Sequence, residues 1–303
     1  LRERMKLAEK RAMVNIAFYS AFPEDPKEIH AIAKEGAVAF KIFLSQKIGG
    51  VDIDDDNALL KVFSIAKKMD IPVAVHAEDR EMLESVLKEM QQNKGNDVSA
   101  YVKVHSPNSG VRAIQRVIRL VKKSFSHIHV CHVSSAAELD VFIEAKGEGF
   151  PITCEVTPHN LLLTFNHLKR YGNLALTNPP LRTKRDVKAL WNAFQQGLID
   201  VVASDHAPHA IEEKKVESVW DTKSGIPGLE TMLPLMLTQV NKGQLEIADL
   251  VRASSEKPAQ IFHLKNRGRI AEGNWADLTV IDLKQQYKID SSKFHSKAKY
   301  SPF

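Results

Sequence analysis

The sequence predicts an α/β fold, a (β/α)8 TIM-type barrel that is incomplete in this chain, followed by a small β-sandwich module. Three observations point there. Apolar runs that read as strands alternate with amphipathic stretches that read as helices, six times between Val14 and Val240. Four of those runs end in chemically active side chains, as the strands of a βα barrel do at their C-terminal mouth. They are Phe40-Lys-Ile-Phe-Leu44, Val73-Ala-Val-His76, Ile128-His-Val-Cys-His132 and the run from Asp200 through Asp205 to His209. The glycine-rich phosphate turn of dinucleotide-binding doubly wound sheets is also missing, which favours a barrel short of two units over an open sheet.

In order along the chain, residues 1–13 have high helix propensity and lead to a strand over 14–19, closed by Pro23 and Pro26. A helix over 27–36 precedes the strand 38–44, which carries Lys41 on the face of Ala39 and Phe43. An amphipathic helix over 59–69 and the strand 72–76 follow. The acidic turn Glu78-Asp79-Arg80 then opens helices over 80–91 and 111–123, with a polar loop near 93–97 between them. In the strand 128–132, a period of two places Ile128, Val130 and His132 on one face. Ser134-Ser-Ala-Ala-Glu138 reads as a helix start, with a capping serine and a glutamate in the first turn. The strand 152–157 ends in Pro158-His159-Asn160. Residues 177–182 cannot be regular, because Pro179 and Pro180 remove two donors. A helix over 186–196 leads to the strand that ends at Asp205, with Val201, Ala203 and Asp205 on one face. The long loop 210–228 has the length of a lid or binding loop. Helices over 233–240, 247–254 and 258–264 complete the barrel, residues 1–264. The pattern of 268–282 reads as a hairpin and strand, so a second, β-type module spans 265–303.

Composition narrows the function. A chain of 303 residues with 44% hydrophobic side chains buries one barrel-sized core. The net charge of +5 and pI near 9.0 come from scattered charges without interleaved aromatics, which does not indicate nucleic-acid binding. Only two cysteines occur, Cys131 and Cys154, each in an apolar run, as expected of a reduced, cytoplasmic setting with no disulfide. No apolar run approaches the roughly 20 residues of a membrane span, and the charged start Leu1-Arg-Glu-Arg-Met does not read as a signal peptide.

The strand-end residues suggest a metal site. Imidazoles and a carboxylate, here His76, His132 and Asp205, suit zinc or a similar divalent ion. Protonated Lys41 is a poor ligand, yet carbon dioxide converts a lysine to a carbamate, an anionic oxygen ligand able to bridge two metals. That accounts for a lysine set between Phe40 and Phe43, where an unpartnered charge is costly. Spacing alone also allows a set of unrelated strand-end polar groups that meet water.

These residues together resemble the amidohydrolase superfamily of metal-dependent (β/α)8 barrels. Within it, Glu155-Val-Thr-Pro-His159, Asn178-Pro-Pro-Leu-Arg182, Asp205-His-Ala-Pro-His209 and Gly225-Ile-Pro-Gly-Leu-Glu-Thr231 are similar to the dihydroorotase group of the cyclic-amidase branch. The resemblance implies one or two Zn2+ held by His76, His132 and a carboxylated Lys41. Asp205 is implied as both ligand and catalytic acid/base. Asn178, His209, Pro227 and Gly228 are implied as substrate contacts. His159 and His206 carry no assigned chemistry and are expected to be structural. The reaction implied is reversible hydrolysis of the cyclic amide of dihydroorotate to N-carbamoyl-aspartate in pyrimidine synthesis, with a small-molecule substrate and a homo-oligomer as an option. Hydantoinase, dihydropyrimidinase and allantoinase share the metal residues and form the alternative. The His-x-His pair that the family carries on its first strand has no counterpart before Lys41. An incomplete chain is the expectation, and a shortened, non-catalytic scaffold subunit the runner-up.

Overall fold

The computed structural model describes residues 1–303. Six parallel strands are hydrogen-bonded in chain order: β1 (Phe18–Ala21), β2 (Ala37–Phe43), β3 (Val73–His76), β4 (Ile128–Val130), β5 (Ile152–Val156) and β6 (Val201–Val202). Parallel neighbours require crossovers, and helices supply them between successive strands. One face of the sheet packs against those helices. Phe40, Ile42, Val73, Val75, Ile128, Val130, Ile152, Cys154, Val156 and Val202 share the main core with Ile114, Val117, Phe142 and Phe194.

The other face curls around Phe262. Its ring lies 5.2 Å from that of Tyr19 on β1 and 5.4 Å from that of His129 on β4, and it shares a buried cluster with Ala39 of β2 and Val201 of β6. One side chain reaches strands 1, 2, 4 and 6 only if the sheet is bent into an arc, and the molecule is accordingly a TIM-type barrel segment. The helix ending at Ile261 inserts Phe262 as a plug at the N-terminal side of this arc.

The first strand begins later than its sequence pattern suggests, at Phe18 instead of Val14. It has a neighbour on one side only, and pairing starts where Ala37 offers a partner to Phe18, leaving Met13, Val14 and Ile16 exposed. The helix start at Ser135 forms as expected, with a reciprocal bond between its side chain and Glu138. The helix Val98–Val104, capped by Asp97, falls outside the predicted elements. The hairpin and strand expected over 268–282 are not formed: Ile270, Trp275, Leu278 and Val280 are exposed and no strand lies beyond Val202. A hairpin without a sheet or helix to bury its apolar side is marginal in water. No helix is long and apolar enough to cross a membrane.

Candidate active site

At the C-terminal ends of the strands, two imidazoles meet. His76 closes β3, and its Nδ1 lies 3.1 Å from Nε2 of His132. Strict alternation would turn His132 outward with Ile128 and Val130. Instead the chain leaves the extended region at His132, whose φ is 38°, and the ring swings to the inner face. Asp205, which alternation already places on the inner face with Val201 and Ala203, also takes a positive φ, at 43°.

The protonation of this pair is set from behind. Glu78, 1% exposed, accepts from His76 Nε2 at 2.7 Å and from His105 Nδ1 at 2.8 Å. Burial acts to raise the Glu78 pKa, but the two imidazoles outweigh it and hold the carboxyl well below its usual value. An ionised carboxylate only accepts, so His76 carries a proton on Nε2, and in its neutral form turns a lone pair on Nδ1 toward His132. Burial, with His76 and Lys41 alongside, holds His132 well below the ordinary histidine range and keeps it neutral. Its Nδ1 is buried without a partner. Two nitrogens each roughly 2.0–2.1 Å from a tetrahedral zinc stand about 3.3 Å apart, so the observed pair fits an ion between them.

Around the imidazoles the inner face is charged. Lys41 Nζ donates to Cys131 Sγ at 2.8 Å and lies 4.9 Å from the Phe43 ring centre. Burial pushes the Cys131 thiol up to about 12, so the sulfur is a neutral acceptor. Glu155 faces inward from β5, bonded to His129 Nε2 at 3.1 Å and to the His132 amide at 3.3 Å. Asp205 makes no hydrogen bond within the chain. Burial and then the Glu155 charge raise its pKa from 3.8 to about 6, against the pull of Lys41 and His76. The four residues singled out as ligands are thus not all in mutual contact. His76 and His132 pair, Lys41 turns to Cys131, and no three His, Cys, Asp or Glu side chains form a complete ligand set. Lys41, whose charge acts on His132, becomes a ligand only as a carbamate.

The residues singled out for substrate lie on two adjoining segments. Asn178, before a cis bond to Pro179, has its Oδ1 buried without a partner. His209 donates from Nε2 to the Ser224 carbonyl at 2.9 Å. An isolated parallel bridge joins His206 to Ile226 and lays the 205–209 stretch along 225–228. Pro227 and Gly228 are buried, and a side chain at Gly228 would approach Ser204 O to 2.6 Å. The Gly228 and Leu229 amides both donate to His206 Nδ1 at 3.1 Å, so His206 caps the helix Leu229–Asn241. A cleft of about 590 Å³ opens beside His206 and His209, bordered by Ile211, Lys297 and Lys299.

Glu78, His105, Glu155 and Cys131 were not assigned roles from the sequence. Alternation along Ile152-Thr-Cys-Glu-Val156 puts Glu155 on the inner face, a signal that was legible. Glu78 and His105 sit on a turn and at a helix end, where no periodicity marks them. His159 is 2% exposed, and burial lowers its pKa to about 3.

The profile of the Amidohydrolase family matches residues 8–301. A dihydroorotase of Methanothermobacter thermautotrophicus is 35% identical over 302 residues, 99% of this chain and 66% of its own length. An L-hydantoinase of Paenarthrobacter aurescens is 34% identical over 99% of this chain and 67% of its own. The solved L-hydantoinase (dihydropyrimidinase) from Arthrobacter aurescens superimposes with a TM-score of 0.95 at 34% identity, covering 100% of this chain and 68% of that one. The chain therefore spans about two thirds of the length of the relatives it matches. With the family profile covering nearly every residue and the barrel shared at this level, the chain belongs to the amidohydrolase family.

Proposed function

We propose that this chain supplies most of the catalytic barrel of a dihydroorotase, which hydrolyses the cyclic amide of dihydroorotate reversibly to N-carbamoyl-aspartate. The observation that carries the reading is the bridge between His206 and Ile226. It lays Asp205-His-Ala-Pro-His209 along Gly225-Ile-Pro-Gly228, and the charges of Lys41 and His76 act on the Asp205 carboxyl at the head of that stretch. Dihydroorotases that are about 35% identical over nearly the whole chain support the substrate.

His76 and His132, with Lys41 as its carbamate and Asp205 at the rim, would hold Zn2+. A bound zinc would supply Lewis acidity for the ring carbonyl. The chain's own residues do the rest. Asp205, with a pKa of about 6, accepts the proton of the attacking water as a carboxylate and returns it to the departing ring nitrogen as an acid. Asn178 and His209 hold the ring between the two segments, the first through its unpaired Oδ1. Glu78 fixes the His76 tautomer.

The division into a barrel of 1–264 and a module of 265–303 belongs to the same proposal, as does a cytoplasmic setting, which two unpaired buried cysteines support. The second reading, a hydantoinase, is supported by the TM-score of 0.95 with the L-hydantoinase. The test compares kcat/KM for dihydroorotate, hydantoin, dihydrouracil and allantoin after loading with zinc. Dihydroorotate should be preferred more than tenfold. Preference for hydantoin would establish the second reading, and no turnover of any cyclic amide would defeat both.

A further inference from the structure

Lys214 ends the one-turn helix Ile211–Lys214 and is 1% exposed. Its Nζ donates to the carbonyls of Leu176 at 3.1 Å, Lys223 at 2.9 Å and Gly225 at 3.0 Å. An ammonium has three donors, and here each has a carbonyl. None of the ion pairs in the structure includes Lys214, so its charge is met by three backbone carbonyls and by the Tyr300 ring, whose centre lies 6.0 Å from Nζ. A buried cation is costly without such compensation, and no step of the reaction uses it.

The three carbonyls come from the two segments that form the substrate walls. Leu176 lies two residues before Asn178. Lys223 and Gly225 flank Ser224, whose carbonyl holds His209, and they run directly into Pro227 and Gly228. The Gly225 amide donates to the Leu176 carbonyl at 2.8 Å, so the segments touch where Lys214 binds. The Tyr300 hydroxyl also donates to the Gly225 carbonyl, at 3.4 Å. Without Lys214, the carbonyls of Leu176 and Gly225 would each keep one donor, while that of Lys223 would keep none.

We infer that Lys214 is a positioning residue whose ammonium sets the distance between the wall carrying Asn178 and the wall carrying His209 and Pro227–Gly228. This rests on the substrate site proposed above. Methionine fills a similar volume with no donor, and arginine carries a planar fork that does not match three converging carbonyls. Both variants retain most of the packing.

The test is Lys214→Met and Lys214→Arg, read by steady-state kinetics on dihydroorotate, by zinc content and by amide exchange. For Lys214→Met, KM should rise at least tenfold while kcat stays within threefold and zinc content is unchanged. The Gly225 amide should exchange at least tenfold faster, with the Cys131 amide in the sheet unaffected. Lys214→Arg should fall between. Unchanged KM and unchanged Gly225 exchange would overturn the inference. So would a loss of zinc or equal acceleration at Cys131, which would mark a general structural role. If the wild type turns over no cyclic amide, the assignment of substrate fails by itself, and the exchange of Gly225 against Cys131 still decides whether Lys214 fixes the two walls.

Discussion

Glu78 holds His76 from behind at 2.7 Å and, with its other oxygen, holds His105 at 2.8 Å. One buried carboxylate therefore fixes the tautomer of an imidazole that faces His132. Glu78→Gln keeps the shape but removes the charge, and its amide can present a donor to His76 Nε2. Zinc affinity should drop about 10–100-fold, the usual effect of losing such a partner. Competition with a chromogenic chelator checks this, with circular dichroism as a control for folding. An unchanged affinity would show that His76 needs no orientation from Glu78.

Asp205 should divide the two directions of the reaction by pH. Its pKa is raised to about 6, so the carboxylate prevails above that value and the acid below it. Hydrolysis needs the base, and kcat/KM for dihydroorotate should fall as pH drops below about 6. Cyclisation of N-carbamoyl-aspartate needs the acid and should fall above it. The raised value also means that the neutral form is favoured in the fold. The contribution to stability is full below pH 3.8 and is lost as pH rises through about 6. Asp205→Asn should thus lose roughly 10²–10⁴-fold in rate yet melt higher at pH 8.

His209→Ala should raise KM for dihydroorotate and leave zinc content unchanged, because its Nε2 is bonded to the Ser224 carbonyl on the substrate wall. Loss of metal together with activity, measured by atomic absorption, would make His209 a ligand instead.

Phe262→Ala removes the ring that Tyr19, His129, Ala39 and Val201 enclose. Large-to-small changes of this kind cost about 3–5 kcal/mol. Urea unfolding should show a loss in that range with an unchanged slope.

The faces of β2 and β3 were legible from a period of two, because both strands stay extended to their last residue. Lys41 lies with Ala39, opposite Phe40 and Ile42. His132 was not legible by that rule, since a single left-handed residue moves it from the helix-facing side to the inner side. The Glu78–His105 pair was hidden because it joins a turn to a helix end 27 positions apart. The C-terminal hairpin was overread: its apolar alternation is real, but alternation records a preference for burial, and here Ile270 and Val280 have nothing to bury against.

His132 and Asp205 both hold positive φ, at 38° and 43°, where a side chain costs of order 1 kcal/mol or more. Glycine at either position would relax the backbone. A population of this chain selected only for resistance to heat would therefore drift toward glycine at 132 and 205, and would shed the imidazole and the carboxylate on which the proposed reaction rests. The two residues mark where selection for chemistry and selection for robustness pull on the same two dihedral angles.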